Sequence, residues 1–164
     1  MSRLIDYDAE FKEYFDNWYE QNKEKYKKPE QIEEKLHALY DEWASGERVQ
    51  LDKMDAEELN SLFIQYAECG EIPDLICEAI VKRGAAGEKG LYELYRSGML
   101  GTPAVITIIN LLAEMQSRLP YDDYMDMLSQ SREENEIAEA AAEALSEAPR
   151  EYFDKILSAF ENAR

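Results

Sequence analysis

His37 is the only histidine of the chain, and this limits the catalytic chemistry that the sequence can support. Glu34 and His37 have the Glu-x-x-His spacing of di-iron carboxylate bundles, which need two such motifs. The sequence has no second histidine. A Ser-His-Asp or Cys-His arrangement would also need His37, and nothing near it has the pattern of an exposed nucleophile on a strained turn. We therefore predict that His37 flanks an apolar helix face, and that the chain is not an enzyme and holds no metal.

Two further ligand-binding patterns are incomplete. Residues 84–90, GAAGEKG, have the glycines of a phosphate loop, but a Walker loop needs Gly-Lys followed by Ser or Thr after a strand. Here Lys89 precedes a glycine and the residues before the segment have helical periodicity, so we predict a connector between two helices. The acidic clusters lack the alternating oxygen ligands and central glycine of an EF-hand. Because the chain has 36 Asp and Glu residues, the presence of any one carboxylate pair says nothing about glycosidase chemistry. Since no phosphate loop or metal-binding motif is complete, we predict no cofactor.

Glutamates form one patterned stripe in the alanine-rich segment near the C-terminal end. Their spacing of i, i+3, i+7 and i+11 places them on one face of a helix, and no Lys or Arg occurs from residue 133 to 146. A solvated face that serves solubility is one interpretation, and a docking face for a basic partner is the other. The candidate partner-binding residues are Glu136, Glu139, Glu143 and Glu147.

The overall charge restricts the partners of the chain. Eighteen Lys and Arg residues against 36 Asp and Glu residues give a net charge of −18. Binding to phosphate groups needs Lys and Arg, so we predict no direct contact with nucleic acid or with anionic membranes. The same negative field would attract a basic protein or peptide.

Cysteine usage and hydropathy favour a cytoplasmic protein. Cys69 and Cys77 have apolar neighbours, and we predict that both are buried free thiols. The N-terminal segment becomes charged after two apolar residues, so we predict no signal peptide. The longest apolar stretch, residues 104–113, is too short to span a bilayer, which takes about 20 residues.

Periodicity in residues 1–46 predicts an aromatic helical hairpin. Apolar and aromatic side chains recur at i, i+4, i+7 and i+11 on either side of a short polar connection that contains Pro29. Two helices joined in this way should pair antiparallel. Residues 45–53, SGERVQLDK, have the weakest periodicity and are our candidate linker. The two sets are Tyr7, Phe11, Tyr14 and Trp18, and Ile32, Leu36, Leu39 and Trp43.

Aromatic residues make the apolar faces of the two hairpin helices wider than a single helix–helix interface requires. We predict that they are buried against the neighbouring helix pair, because a terminal hairpin must cap the array. The alternative is a binding surface, where aromatic residues are enriched. These residues are Tyr14, Phe15, Tyr19, Tyr26 and Tyr40.

Residues 54–164 read as helix pairs that recur about every 30 residues. Tyr66 and Tyr95 are 29 residues apart, and Pro73 and Pro103 are 30 residues apart. A further pair follows from residue 121, and Pro149 introduces a final helix. Such recurrence is typical of a helical solenoid, and no segment alternates with the period of a strand. We predict an all-α fold of antiparallel helix pairs stacked as a short solenoid of about eight or nine helices.

The segment NEIAEAAAEALSEA, residues 135–148, resembles the second helix of a HEAT repeat, although Ala138 stands where such repeats often carry arginine. The stretches FKEYFDNWYEQNKEKY, LYDEWASG and GEIPDLICEAI are similar to a group of uncharacterised helical-repeat proteins from anaerobic Firmicutes, which have a longer connection in place of GERVQLDKM. These resemblances imply a HEAT-like fold and a bacterial scaffold protein, and they imply no chemistry.

Three functional hypotheses follow from these observations. The first is a non-enzymatic scaffold that binds a protein or peptide, because stacked repeats present long continuous surfaces. The second is an acidic mimic of nucleic acid that binds a basic nucleic-acid-binding protein. The third is an enzyme on a HEAT-like scaffold, similar to some DNA glycosylases, which need a basic cleft. An end helix without a polar outer face would allow a homodimer.

Overall fold

Eight α-helices make up the regular structure in the computed structural model of the protein, which describes residues 4–130 and 135–149 together with Tyr152, Asp154, Lys155, Leu157 and Ser158. This part of the chain contains no strand, so the predicted all-α fold is confirmed. The helices are α1 (Tyr7–Asn22), α2 (Pro29–Asp52), α3 (Ala56–Cys69), α4 (Asp74–Lys82), α5 (Ala85–Ser97), α6 (Thr102–Glu114), α7 (Tyr121–Gln130) and α8 (Glu136–Ser146).

Short-range signals in the sequence begin and end several of these helices. The Asp55 carboxylate accepts a hydrogen bond from the Glu58 backbone N–H at 2.8 Å, and this satisfies a free donor at the start of α3. Gly70 ends α3 with a φ of 98°, a conformation that glycine adopts without steric cost. Proline lies at the start of α2 and α6, where its missing N–H is not needed.

Consecutive helices pack against one another in pairs along the chain. Within the described ranges, α1 packs on α2, α3 on α4, α5 on α6, and α7 on α8. Neighbouring pairs are joined by packing of α2 on α4, of α3 on α5 and of α6 on α8. This arrangement is consistent with the predicted solenoid.

Helix α6 lies between two hydrophobic clusters, as its nearly continuous apolar sequence predicts. Ile108 and Leu112 belong to the first cluster, which extends from α1 to α6. Ile109 belongs to the second cluster, which α6 shares with α7 and α8. None of the described helices is long and apolar enough to cross a membrane.

The predicted linker at residues 45–53 is wrong, because α2 continues to Asp52. Leu51 is 4% exposed and belongs to the first cluster, so the last turns of α2 gain burial that outweighs their weak helical propensity. Polar contacts also join these turns to α4. The Arg83 guanidinium donates to the Leu51 carbonyl oxygen at 3.0 Å, and Arg48 pairs with Glu78 at 3.0 Å.

The predicted connector at residues 84–90 is also mostly wrong, because α5 begins at Ala85. Gly84 alone remains outside the helices, with a φ of 59°. A Cβ atom on Gly87 would lie 2.1 Å from the Ile80 carbonyl oxygen, and one on Gly90 would lie 1.8 Å from the Asn60 side-chain nitrogen. The glycines therefore allow α5 to lie close against α3 and α4, which is a packing role.

The final helix predicted after Pro149 lies mostly outside the described residues. Asp154, Lys155, Leu157 and Ser158 are helical, as predicted. The Tyr152 ring packs on Tyr121 of α7 at a centroid separation of 5.2 Å.

Tyr124 carries a buried hydroxyl that finds no hydrogen-bond partner among the described residues. Because an unsatisfied buried polar group is costly, we expect Tyr124→Phe to raise the free energy of unfolding by about 1 kcal/mol. Tyr66→Phe is the matched control, since the Tyr66 hydroxyl donates to the Ile5 carbonyl oxygen at 2.7 Å, and we expect it to lower that energy by about 1 kcal/mol. Urea denaturation of both variants tests this, and equal changes in the two would contradict it.

Candidate binding cleft

The predicted acidic stripe lies on the solvent side of α8. The opposite side of this helix, which includes Ala141 and Leu145, is buried in the second cluster. The structure therefore places the four carboxylates on one accessible surface, and their role in docking stays a prediction. The four exposed residues are Glu136, Glu139, Glu143 and Glu147.

The residues singled out for metal or acid–base chemistry are not assembled into a site in the described part of the chain. His37 and Glu34 both lie on the exposed surface of α2. No group of three or more His, Cys, Asp or Glu side chains in the described ranges is arranged to hold a metal ion.

The prediction that both cysteines are buried is correct for Cys77 and wrong for Cys69. Cys77 lies in the first cluster, and burial is the main reason that the pKa of its thiol is raised to about 11. Cys69 is exposed because it is the last residue of α3, where the chain turns at Gly70.

A cleft of about 420 Å³ lies where the N-terminal hairpin meets the α3–α4 pair. One wall is the segment of residues 4–8 with Phe11, and another is formed by Tyr40 and Trp43 of α2. Tyr66 and Cys69 at the end of α3 and residues 71–75 complete it. We call this site the aromatic cleft. Its volume is within the range of about 300–1,000 Å³ that is usual for ligand pockets.

Aromatic rings form a connected set along the cleft. The Phe11 ring contacts Tyr40 at 5.2 Å and Trp43 at 5.4 Å between centroids. Tyr7 packs edge-on against Trp43 at 6.2 Å. Contacts of this kind between inclined rings are favourable beyond the area that they bury. The set is therefore held in place by its own packing before any ligand binds.

A hydrogen bond between distant parts of the chain joins two residues that line the cleft. The Tyr66 hydroxyl donates to the Ile5 carbonyl oxygen at 2.7 Å, and these two residues are 61 positions apart. Asp6 accepts a hydrogen bond from the Ala9 backbone N–H at 3.1 Å and so fixes the start of α1. These contacts position the segment of residues 4–8 as a wall.

Among the described residues that line the cleft, four are carboxylates and none is Lys, Arg or His. Asp6 and Asp8 come from the start of α1, while Glu71 and Asp74 come from the loop and first residue of α4. All four residues are exposed. The cleft thus combines an aromatic wall with a negatively charged rim.

The pKa of the Tyr40 hydroxyl reflects the charges around the cleft. Burial raises the pKa of its hydroxyl most, and Arg48 lowers that pKa in part. Glu78, Asp74 and Asp8 raise the pKa further. Arg48 is itself held by Glu78, which accepts two hydrogen bonds from its guanidinium at 3.0 and 3.4 Å. Carboxylates from both α1 and α4 therefore raise the pKa of Tyr40, while the nearby cation, Arg48, is paired with Glu78.

The aromatic residues predicted to cap the core are less buried than expected. Tyr14, Phe15 and Tyr26 are half-buried, whereas Tyr19 and Tyr40 are each 37% exposed, so the prediction is wrong for these two. The reason is that the main packing partner of α1 in the described part of the chain is α2. Binding, the alternative interpretation, fits Tyr40 because its ring lines the cleft.

The two thiols should differ sharply in reactivity. Alkylation requires the thiolate, and at pH 8 a thiol with a pKa of about 11 is about 0.1% ionised. Cys77 is in addition buried, so we expect iodoacetamide to modify only Cys69 in the folded protein and both cysteines in urea. Mass spectrometry of the modified peptides measures this. Modification of Cys77 at a similar rate under native conditions would contradict the packing of α4.

The chain matches no model of a known protein family, no curated protein and no solved structure. The chemistry of the aromatic cleft must therefore be derived from its own side chains. Aromatic rings bind apolar groups and attract cations, and carboxylates accept hydrogen bonds from cationic donors. A group that is both apolar and positively charged satisfies both features.

Proposed function

We propose that this chain is a non-enzymatic protein-interaction module that binds a positively charged segment of a protein partner in the aromatic cleft. The observation that carries the proposal is the combination, along one preformed cleft, of five aromatic rings and four carboxylates with no cationic residue among the described lining residues. Aromatic residues are enriched among the residues that dominate binding energy. The carboxylates select the sign of the charge on the partner.

The charge of the whole chain supports the same partner. A net charge of −18 attracts positively charged molecules and accelerates their association. The proposal keeps the HEAT-like, scaffold-type helix pairs expected from the sequence, with the hairpin and the α3–α4 pair as the two sides of the binding site. It also keeps the cytoplasmic location expected from the sequence.

The acidic mimic of nucleic acid remains a second candidate function, because the stripe on α8 is exposed along its whole length. In that case carboxylates would occupy the phosphate-binding positions of a basic protein. The two proposals place the partner on different helices, α1–α4 for the cleft and α8 for the stripe. Variants can therefore separate them.

Selection from a random peptide library displayed on phage tests the proposal. We expect enrichment of peptides with basic residues, and we expect Tyr40→Ala to weaken their binding by about 10-fold or more. Tyr19→Ala is the matched control, since both rings are 37% exposed on the hairpin and Tyr19 does not line the cleft. Loss of binding in the triple variant Glu136→Gln, Glu139→Gln, Glu143→Gln, with Tyr40→Ala unaffected, would reject the cleft in favour of the acidic mimic.

A further inference from the structure

We propose that the group bound in the aromatic cleft is the side chain of an arginine, with its guanidinium against the aromatic wall and hydrogen-bonded to the carboxylate rim. This inference rests on the proposed function, because it names the residue of the partner that the cleft recognises. It requires a site that offers ring surface, acceptor oxygens and room for a long side chain.

The aromatic wall provides surface for a flat cation. Phe11, Tyr40 and Trp43 contact one another at centroid separations of 5.2 to 5.8 Å, and all three line the cleft. Tyr40 is 37% exposed, while Phe11 and Trp43 are half-buried, so ring surface remains accessible. A guanidinium is planar and weakly hydrated, so it stacks on aromatic rings at a smaller desolvation cost than an ammonium group.

The rim provides acceptor oxygens that the described residues do not fully occupy. No ion pair in the described part of the chain involves Asp8, Glu71 or Asp74. Asp6 already accepts the Ala9 N–H, so it has less capacity left. An arginine has five donors in a fixed plane and can pair with a carboxylate through two parallel hydrogen bonds. The same pairing occurs within this chain between Arg48 and Glu78, at 3.0 and 3.4 Å.

Other cations match the cleft less completely. A lysine ammonium is a compact, strongly hydrated charge that cannot form two parallel hydrogen bonds to a carboxylate. A trimethylated lysine binds aromatic rings well but has no hydrogen to donate to the rim. A neutral side chain of the same shape leaves the rim without a counter-charge. The cleft therefore discriminates by stacking, charge and donor geometry together.

Three small probes separate these properties, namely the N-acetyl amides of arginine, lysine and citrulline. Citrulline has the shape of arginine without its charge. The chain has two tryptophans, of which Trp43 lines the cleft and Trp18 does not, so the indole N–H signals in ¹H–¹⁵N spectra report binding and supply an internal control. A Trp18→Phe variant assigns the two signals. Ligands of this size bind with dissociation constants on the order of 1 mM, which such titrations measure directly.

We expect the arginine probe to shift the Trp43 signal and to bind about 10-fold more tightly than citrulline and about 3-fold more tightly than lysine. The Asp8→Asn, Asp74→Asn variant should lose most of the preference for arginine over citrulline. The Glu139→Gln, Glu143→Gln variant has the same change in net charge and should keep it.

Equal binding of arginine and citrulline, tighter binding of lysine, or no shift of the Trp43 signal by arginine up to about 100 mM would overturn the inference. These outcomes are distinct from failure of the proposed function. If library-selected peptides still bind and lose affinity in Tyr40→Ala, the cleft is a peptide site with another specificity. If no peptide is selected at all, the proposed function fails as well.

Discussion

Replacing Asp8 and Asp74 by asparagine should weaken the binding of a basic, library-selected peptide by about 100-fold, because each removes one charge-assisted hydrogen bond worth about 10-fold in affinity. The two carboxylates come from different helices, and both line the aromatic cleft together with Tyr40. Asparagine keeps the size of each side chain and leaves an acceptor oxygen. Calorimetric titration of the wild type and the double variant measures the change.

The matched control for this pair is Glu139→Gln, Glu143→Gln on α8. It removes the same charge from exposed positions away from the cleft. We expect it to change the affinity by about 3-fold or less, since exposed charges at a distance are screened by salt. The two double variants should fold equally well by circular dichroism. Comparable losses of affinity in both would mean that the overall charge, and not the cleft, governs binding.

Gly87→Ala should lower the free energy of unfolding by about 2–3 kcal/mol, the upper part of the range for overpacked sites. The added Cβ atom would lie 2.1 Å from the Ile80 carbonyl oxygen and 3.1 Å from its carbonyl carbon. Both atoms belong to the backbone of α4, so relief requires α5 and α4 to move apart. Urea denaturation followed by circular dichroism measures the loss.

Gly46→Ala is the matched control for the glycine variant, because a Cβ atom there meets nothing within 4 Å. Gly46 lies inside α2, so alanine should raise the free energy of unfolding by about 0.5–1 kcal/mol. The same variant tests the continuity of α2 through the segment that the sequence presents as a linker. A destabilised Gly46→Ala protein or an unaffected Gly87→Ala protein would contradict the helix packing described above.

Local signals in the sequence predicted the helices well and their lengths less well. Asp55, Gly70 and Pro103 mark helix ends correctly because capping depends on a few adjacent residues. The same rules fail at Gly46 and Gly87, where glycine lowers helical propensity by about 1 kcal/mol. In both places burial against α4 or close helix packing outweighs that penalty. Such packing involves residues about 30 or more positions apart, as in the Arg83–Leu51 hydrogen bond. The local periodicity of the sequence cannot predict contacts at that separation.

The aromatic cleft was predictable only in part for the same reason. Periodicity placed Phe11 and Trp43 on facing sides of a hairpin, which the structure bears out through their ring contact. The contribution of residues 71–75 depends on how the hairpin docks on the α3–α4 pair, and no local pattern encodes that docking. The sequence has 36 acidic residues, and only those on α8 have a regular spacing that marks them as a group. The rim carboxylates come from separate segments, so no sequence pattern identifies them.

The most direct measurement of the central claim is a map of the bound peptide on the protein by ¹H–¹⁵N chemical-shift perturbation. A saturating, library-selected basic peptide should shift the Trp43 indole signal and the backbone amides of Asp8 and Ile72, which line the cleft. The amides of α8 should remain unchanged. Perturbations confined to α8, with the Trp43 signal unmoved, would contradict the account and assign binding to the acidic stripe.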